Sequence, residues 1–395
     1  MNTDFRQIPL GWRLSSVGQE CNICNNLREP LSEEERSTLQ GSYPYYGPTK
    51  AVDFLDHFRV EGTYALIGED GDHFLKYNFQ DMTQLVSGRF NVNNHAHIVQ
   101  GGAECSTEWF YTFFRQRSIA PFLTRQGAGR FKLNKAALEK IPLLVPPIAE
   151  QEAIHAAITK WDRSIDLTDG LIAAKQERRK WLMNQLLMGK LRLPGFDTPW
   201  REVKIGDIFK EVKRPVNWND GQLYRLISVR RRSEGLFLRG ELYGHQIKTK
   251  IMGVAKEGDF LISKMQIVHG ASGLVTKTFD GMNISGSYTS LRTKEPKTFD
   301  VRFFNCLSKL PHMYHHALFS SYGVHIEKMT FNLPDYLKRR ISIPPTIEEQ
   351  QAIVKVIETA DHELDLLRSQ LNAIKEQKKG LMQQLLTGKL RVGQS

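Results

Sequence analysis

The sequence predicts an α+β protein in which two mixed α/β domains are separated by two long helices that pair as a coiled coil, the whole chain being an internal repeat. Three observations predict it. A segment of 44 residues occurs twice, from Glu150 and from Glu349, without a gap and with 20 identical positions. Each copy carries apolar residues at alternating steps of four and three, the seam of a coiled-coil helix. Ahead of each copy stands a domain-sized segment that mixes strand-like runs, turn clusters and a helix.

In the first copy the seam is Ile154, Ile158, Trp161, Ile165, Ile172, Leu182 and Leu186, with Thr168, Lys175 and Arg179 intruding. In the second it is Ile353, Ile357, Ala360, Leu364, Leu367, Leu371 and Ile374, then Leu381 and Leu385, interrupted by Lys378. A seam two positions in seven wide cannot be buried by one helix, and the nearest available partner is the other copy. The polar intruders of the first seam fit either of two partners, the second helix or another subunit. Pro146-Pro147 and Pro344-Pro345 precede the helices, Thr346 with Glu349 makes a capping box, and Gly189 and Gly388 stand where a helix stops. Roughly 40 residues at about 1.5 Å each make a rod of about 60 Å, which acts as a spacer.

An opening signature is repeated too: Trp12-Arg13 followed by Val17-Gly18, and Trp200-Arg201 followed by Ile205-Gly206. The chain therefore divides into residues 1–145, 146–193, 194–343 and 344–395. The first globular segment predicts strands near 64–68 and 97–99 and a helix near 107–122. The second predicts strands near 226–229, 259–263 and 290–292 and a helix near 301–318, with a glycine-rich stretch at Gly270-Ala271-Ser272-Gly273. Each ends in an apolar strand just before its Pro-Pro. The flanks correspond while the interiors have little alignable similarity, as expected of one frame holding two different readers.

The net charge is +11 and the pI about 9.4. Residues 1–145 sum to −1, 146–199 to +1, 346–395 to zero, and the whole surplus lies in 200–345, with 24 basic and 13 acidic residues. A domain-sized basic surplus without an amphipathic basic helix points to nucleic acid and away from a membrane surface. No apolar run reaches about 18 residues and residues 1–6 carry no leader pattern, which predicts a cytoplasmic protein. Four cysteines make no disulfide framework, and Cys21-x-x-Cys24 lacks the second pair a zinc site needs. His95 and His97 alternate on a strand without a third ligand nearby, and His312, His315 and His316 on a helix are read the same way, so no metal is expected. Asn332-Leu333-Pro334-Asp335-Tyr336 lacks the Pro-Pro step of a methyltransferase loop, and no phosphate loop for ATP is present. No catalytic residue is expected.

A Pro-Pro, then Glu-Gln, then a long helix ending in Leu-Leu-x-Gly-Lys-Leu-Arg, written twice with a variable domain before each copy, resembles the specificity subunit of type I restriction–modification systems. Gly11-Trp12, Pro199-Trp200, Leu66-Ile67-Gly68-Glu69-Asp70-Gly71, Asn93-Asn94-His95-Ala96-His97 and Gly258-Asp259-Phe260-Leu261-Ile262-Ser263 agree, and the resemblance covers essentially the whole chain. It implies two target recognition domains, each reading half of a bipartite, asymmetric site on double-stranded DNA, with the helices packed antiparallel to set the unread spacer. It implies docking of two modification subunits that methylate adenine, and of restriction subunits that translocate DNA. S-adenosylmethionine and ATP are then expected on those partners, with no cofactor bound by this chain. A self-contained DNA-modifying enzyme would need further residues carrying the missing motifs. A coiled-coil scaffold with protein-binding ends is separated from the DNA reading by the salt dependence of DNA affinity.

Candidate DNA contacts follow from residue type and place. Arg230, Arg231 and Arg232 follow a strand inside the basic segment, where phosphate contact fits adjacent arginines better than base reading. Lys248, Lys250 and Lys264 are similar. In the first domain Tyr45, Tyr46, Lys50, Lys76, Arg89 and Asn94 are aromatic, basic or amide side chains near turns. That domain's later basic residues, Arg115, Arg117, Arg125, Arg130, Lys132 and Lys135, are expected to share one surface.

Overall fold

The computed structural model describes residues 8–126 and 130–392; residues 1–6, read above as carrying no leader, lie outside them. The chain falls into two compact units, Met1–Asp169 with Ser369–Ser395, and Gly170–Arg368. Each long helix, Ile148–Leu187 and Ile347–Leu385, contributes one part to each unit.

Unit one is built on a six-stranded sheet in the order Cys21–Ile23, Ala96–Gly101, Val60–Gly68, Thr83–Val92, Gln40–Tyr46, Ala51–Leu55. Neighbours are antiparallel except Gln40–Tyr46, which runs parallel to Thr83–Val92. Residues 65–68 of the central strand are buried, as a continuous apolar run predicts. Helix Thr107–Phe114 packs on this sheet; the Ser106 side chain accepts the Trp109 N–H to start it, and Trp109, Phe110, Phe113 and Phe114 are fully buried. The helix is shorter than the 107–122 expected. Pro121, which cannot continue an α-helix, sits instead in the short turn Ala120–Phe122.

Unit two carries two four-stranded sheets. One orders Phe209–Val212, Tyr288–Thr293, Phe260–Ser263 and Ser272–Leu274; the other orders Leu236–Tyr243, Leu223–Val229, Asn283–Ser285 and Met252–Val254. The single helix expected over 301–318 is two, Val301–Leu307 and Pro311–Leu318, because Pro311 has no N–H to continue the first and suits the opening turn of the second. In both units a two-stranded ribbon joins opening signature to closing strand: Arg13–Ser16 with Pro142–Val145, and Arg201–Lys204 with Arg340–Ile343.

The helices pair antiparallel inside each unit. In unit one Ile154 and Ile158 share a core with Met382, Leu385 and Leu386, and in unit two Met183, Leu186 and Leu187 share one with Ile353, Val354 and Ile357. Burying each such side chain is worth about 1.5–3 kcal/mol. Ile172, Leu364 and Leu371 are also buried, while Trp161, Ile165, Leu182, Leu367, Ile374 and Leu381 are half-buried.

The charged intruders face the opposite helix, while Thr168 Oγ1 donates to the Ser164 carbonyl of its own helix. Arg179 pairs with Asp361 and Lys175 with Glu363 in unit two; Lys378, only 7% exposed, pairs with Asp162 in unit one. Asp162 and Asp361 are equivalent positions of the repeat, as are Arg179 and Lys378, so one ion pair is made twice. Burial alone would raise the Asp162 carboxyl, but the bonds from Arg115 and Lys378 outweigh it and hold it below the usual carboxylate range.

Head and tail of the two repeats also bind each other. Glu150 accepts from Trp12 Nε1 at 2.9 Å and from Arg391 Nε and Nη2 at 2.6 and 2.8 Å. Glu349 accepts from Trp200 Nε1 at 3.0 Å and from Arg192 Nε and Nη2 at 2.8 and 3.0 Å. The capping box is therefore half formed: Thr346 Oγ1 accepts the Glu349 N–H at 3.4 Å, while the Glu349 carboxylate turns to Arg192 and Trp200. Beside them Gln151 accepts the Ser106 N–H and Gln350 the Asp300 N–H, each at 2.9 Å, which ties each long helix to the start of a domain helix. Gly189 and Gly388 end the helices at φ +67° and +68°, where a glycine has no Cβ penalty.

Candidate nucleic-acid interface

A shared backbone bracket gathers the loops at the end of a sheet strand in each unit. In unit one the strand ends at Gly68; the Glu69 N–H donates to the His95 carbonyl and the Glu69 carbonyl accepts from the Leu133 N–H, both at 2.7 Å. In unit two the strand ends at Ser263; the Lys264 N–H donates to the Ser287 carbonyl at 2.9 Å and its carbonyl accepts from the Phe331 N–H at 3.0 Å. Glu69 and Lys264 thus hold one structural position, with opposite charge. Glu69 accepts from Arg28 at 2.5 Å and lies 3.5 Å from Lys132, whereas Lys264 Nζ donates to the Gly286 carbonyl at 3.0 Å.

The bracketed loops carry exposed apolar side chains: Phe79 (93%) and Leu75 in unit one, Val324 (96%), Tyr322 and Ile326 in unit two. Such residues at loop tips suit contact with a partner, including a thymine methyl group.

Among the first-domain candidates, Lys76 and Asn94 are exposed on the bracketed loops. Lys50 is exposed in a turn beside them, where the Asn93 N–H donates to the Tyr46 carbonyl at 3.0 Å. Tyr46 is half-buried, edge-on to Phe90. Tyr45 is fully buried; its hydroxyl donates to the Glu29 carbonyl at 2.7 Å and accepts the Leu31 N–H, so it props the sheet and has no surface to offer DNA. Arg89 is exposed but engaged, 3.0 Å from Glu61 and stacked over Phe58.

In unit two the turn carrying Arg230, Arg231 and Arg232 meets the loop that Lys264 begins, because the Arg232 N–H donates to the His269 carbonyl on that loop. Lys248 and Lys250 are exposed on the segment before Ile251, whose carbonyl accepts the Gly286 N–H; Lys250 is 3.0 Å from Asp220 and lies over Trp218.

Of the later basic residues of the first domain, Arg115 is withdrawn from any shared surface. Arg115 is a strut, bonded to Asp81 and to Asp162 on the long helix, and Arg117 lies over Phe113. Arg125 and Lys132 sit on the hairpin Thr124–Gln126 and Arg130–Lys132, with Lys132 close to Glu69, and Lys135 pairs with Glu139. The Arg130 side chain lies outside the described residues. Arg28, which donates to both Glu69 and the Asn94 carbonyl, was missed, since nothing local marks a lone arginine between Leu27 and Glu29.

His97 belongs to the fold: burial pushes its pKa down, Nε2 donates to the Leu133 carbonyl at 2.7 Å, and Nδ1 lies 2.9 Å from Asn25 Nδ2. Cys21 meets Cys105, 3.8 Å between sulfurs, and not Cys24. Among the described residues no three His, Cys, Asp or Glu side chains are placed to hold a metal, and no helix is long and apolar enough to cross a membrane.

Two different loop sets thus stand on one repeated frame. The family described as type I restriction modification DNA specificity domain matches residues 9–175 and 198–376, and the chain belongs to it. A Haemophilus influenzae chain named as a type I restriction enzyme specificity subunit is 28% identical over 367 residues, covering 87% of this chain and 86% of that one. The type I restriction enzyme MjaVIII specificity subunit of Methanocaldococcus jannaschii is 21% identical, covering 98% and 94%. The fold is similar to the crystal structure of the S subunit from M. genitalium, with a TM-score of 0.58, 14% identity and 98% of both chains covered. It is similar also to the HsdS subunit of Thermoanaerobacter tengcongensis, with a TM-score of 0.56, 16% identity and coverage of 99% and 100%. The chain is a non-catalytic specificity subunit of a type I restriction–modification system, with two DNA-recognition domains.

Proposed function

We propose that unit one and unit two each read one half of a bipartite, asymmetric DNA site through their bracketed loops, and that the long helices set the unread spacer. The observation that carries this reading is the common bracket with unlike residues, Glu69 in one unit and Lys264 in the other. Lys50, Lys76 and Asn94 then serve the first half-site, and Arg230, Arg231, Arg232 and Lys264 the second. Two modification subunits dock on the helical region and bring S-adenosylmethionine; restriction subunits bring ATP-driven translocation, all in the cytoplasm. The test is long-read mapping of methylated adenines in cells carrying this chain with its modification subunits. A split, asymmetric motif is the expected result, and a single continuous motif would sink the reading. In the same assay Lys264→Glu should change or abolish one half of the motif.

A further inference from the structure

The turn 230–235 joins strands Leu223–Val229 and Leu236–Tyr243. It holds two consecutive non-glycine residues at positive φ, Arg232 at 59° and Ser233 at 56°; among the described residues no other non-glycine residue has a positive φ. In this region an L side chain crowds its own backbone, so it persists only where the surroundings impose it. Here they do. The Arg230 N–H donates to the Gly235 carbonyl at 2.9 Å, the Arg232 N–H to the His269 carbonyl at 2.7 Å, and the Ser233 N–H to the Gly270 carbonyl at 2.9 Å. Ser233 Oγ, on a residue 8% exposed, lies 2.8 Å from the Tyr314 hydroxyl on helix Pro311–Leu318. Gly270, at φ +71°, completes the seat, because a Cβ built on it would stand 2.3 Å from the Tyr314 hydroxyl oxygen.

What the turn presents is charge. Arg230, Arg231 and Arg232 are all exposed, whereas an extended strand would send neighbouring side chains to opposite faces. Arg230 lies over Phe237 and Arg231 is 2.9 Å from Glu327, while Arg232 has no ion-pair partner among the described residues. A glycine at 232 would relieve the backbone and remove the guanidinium. The sequence keeps the arginine and builds the support instead.

We propose that Ser233 and Tyr314 form a positioning latch that holds the 230–235 turn ready for a DNA phosphate, with Arg232 the side chain that meets it. This rests on unit two reading DNA. The latch residues touch no DNA themselves; they keep the turn in one conformation before binding, and affinity falls by the fraction of molecules that leave it.

The test uses the full-length chain assembled with its modification subunits and a fluorescently labelled duplex of random sequence, titrated at several salt concentrations. Arg232→Gln should weaken binding and lower the salt slope by about one. Tyr314→Phe and Ser233→Ala should each weaken binding about 3- to 10-fold. Combined with Arg232→Gln, Tyr314→Phe should add nothing, a coupling that a general packing defect would not produce. If Arg232→Gln weakens binding while Tyr314→Phe and Ser233→Ala do not, the latch is wrong and DNA reading by this turn survives. If Tyr314→Phe is equally harmful in both backgrounds, its role is packing and the latch is again overturned. If Arg232→Gln changes neither affinity nor slope, the turn does not read DNA at all.

Discussion

Glu150 ties three distant parts of unit one together. It takes the Trp12 indole and the Arg391 guanidinium, side chains 138 and 241 positions away, and Glu349 does the same in unit two with Trp200 and Arg192. Glu150→Gln keeps the shape but removes the charge that Arg391 needs, and should lower unfolding free energy by about 1–3 kcal/mol in denaturant titrations. The effect depends on pH. Burial alone would raise the Glu150 carboxyl, but Arg391 and Trp12 outweigh it and hold it low. A depressed carboxyl stabilises above its unfolded pKa and loses that contribution as pH falls through the folded one. The gap between native protein and Glu150→Gln should therefore be full near neutrality and close below about pH 4. In the sequence Glu-Gln and Gly-Lys-Leu-Arg were visible as repeated words but not as partners, because separations above a hundred residues leave no local trace.

At the scale of elements the long helices were the most legible part of the chain. Seven-residue periodicity and end signals placed both, and a heptad seam with polar breaks left open only what the breaks face. The pairs Arg179–Asp361 and Lys378–Asp162 answer that for these two charged breaks: they face the opposite helix, in equivalent places. Asp361→Arg should destabilise by setting two cations together, and adding Arg179→Asp should recover most of the loss in a double-mutant cycle. Ile154→Ala or Leu385→Ala, both fully buried in one cluster, should each cost about 2–5 kcal/mol. The domain helices were read less well. Aromatic runs such as Trp109–Phe110–Phe113–Phe114 announced a helix, but the polar stretch from Arg115 to Ser118 ends the first and Pro311 opens a second helix after Leu307, and both breaks were read through. The bracket at Glu69 and Lys264 was invisible, since it is made of backbone bonds between segments with no common sequence.

For the molecule as a whole the charge balance foretold the partner but not the surface. The +11 surplus of residues 200–345 gathers in part around the 230–235 turn and Lys264, whereas unit one neutralises much of its basic complement internally, through Arg115 with Asp81 and Asp162 and through Arg28 with Glu69. Exchange of residues 205–339 for those of a related specificity subunit should change one half of the methylated motif and leave the other half intact, read by the same mapping of methylated adenines. Unit one also has a seam where residues 9–12 meet residues 388–391: Arg391 Nη1 donates to the Leu10 carbonyl at 2.8 Å, and Gly388 packs on Pro9 and Trp12. In unit two the matching place is crossed by continuous chain, with Arg192 bonded to the Thr198 carbonyl at 2.9 Å. The two joints are thus equivalent places of the repeat, one crossed by continuous chain and the other held by these contacts. A circular permutant that links residue 395 to residue 1 and starts instead between 194 and 197 should fold, melt close to the parent, and place the same methyl marks.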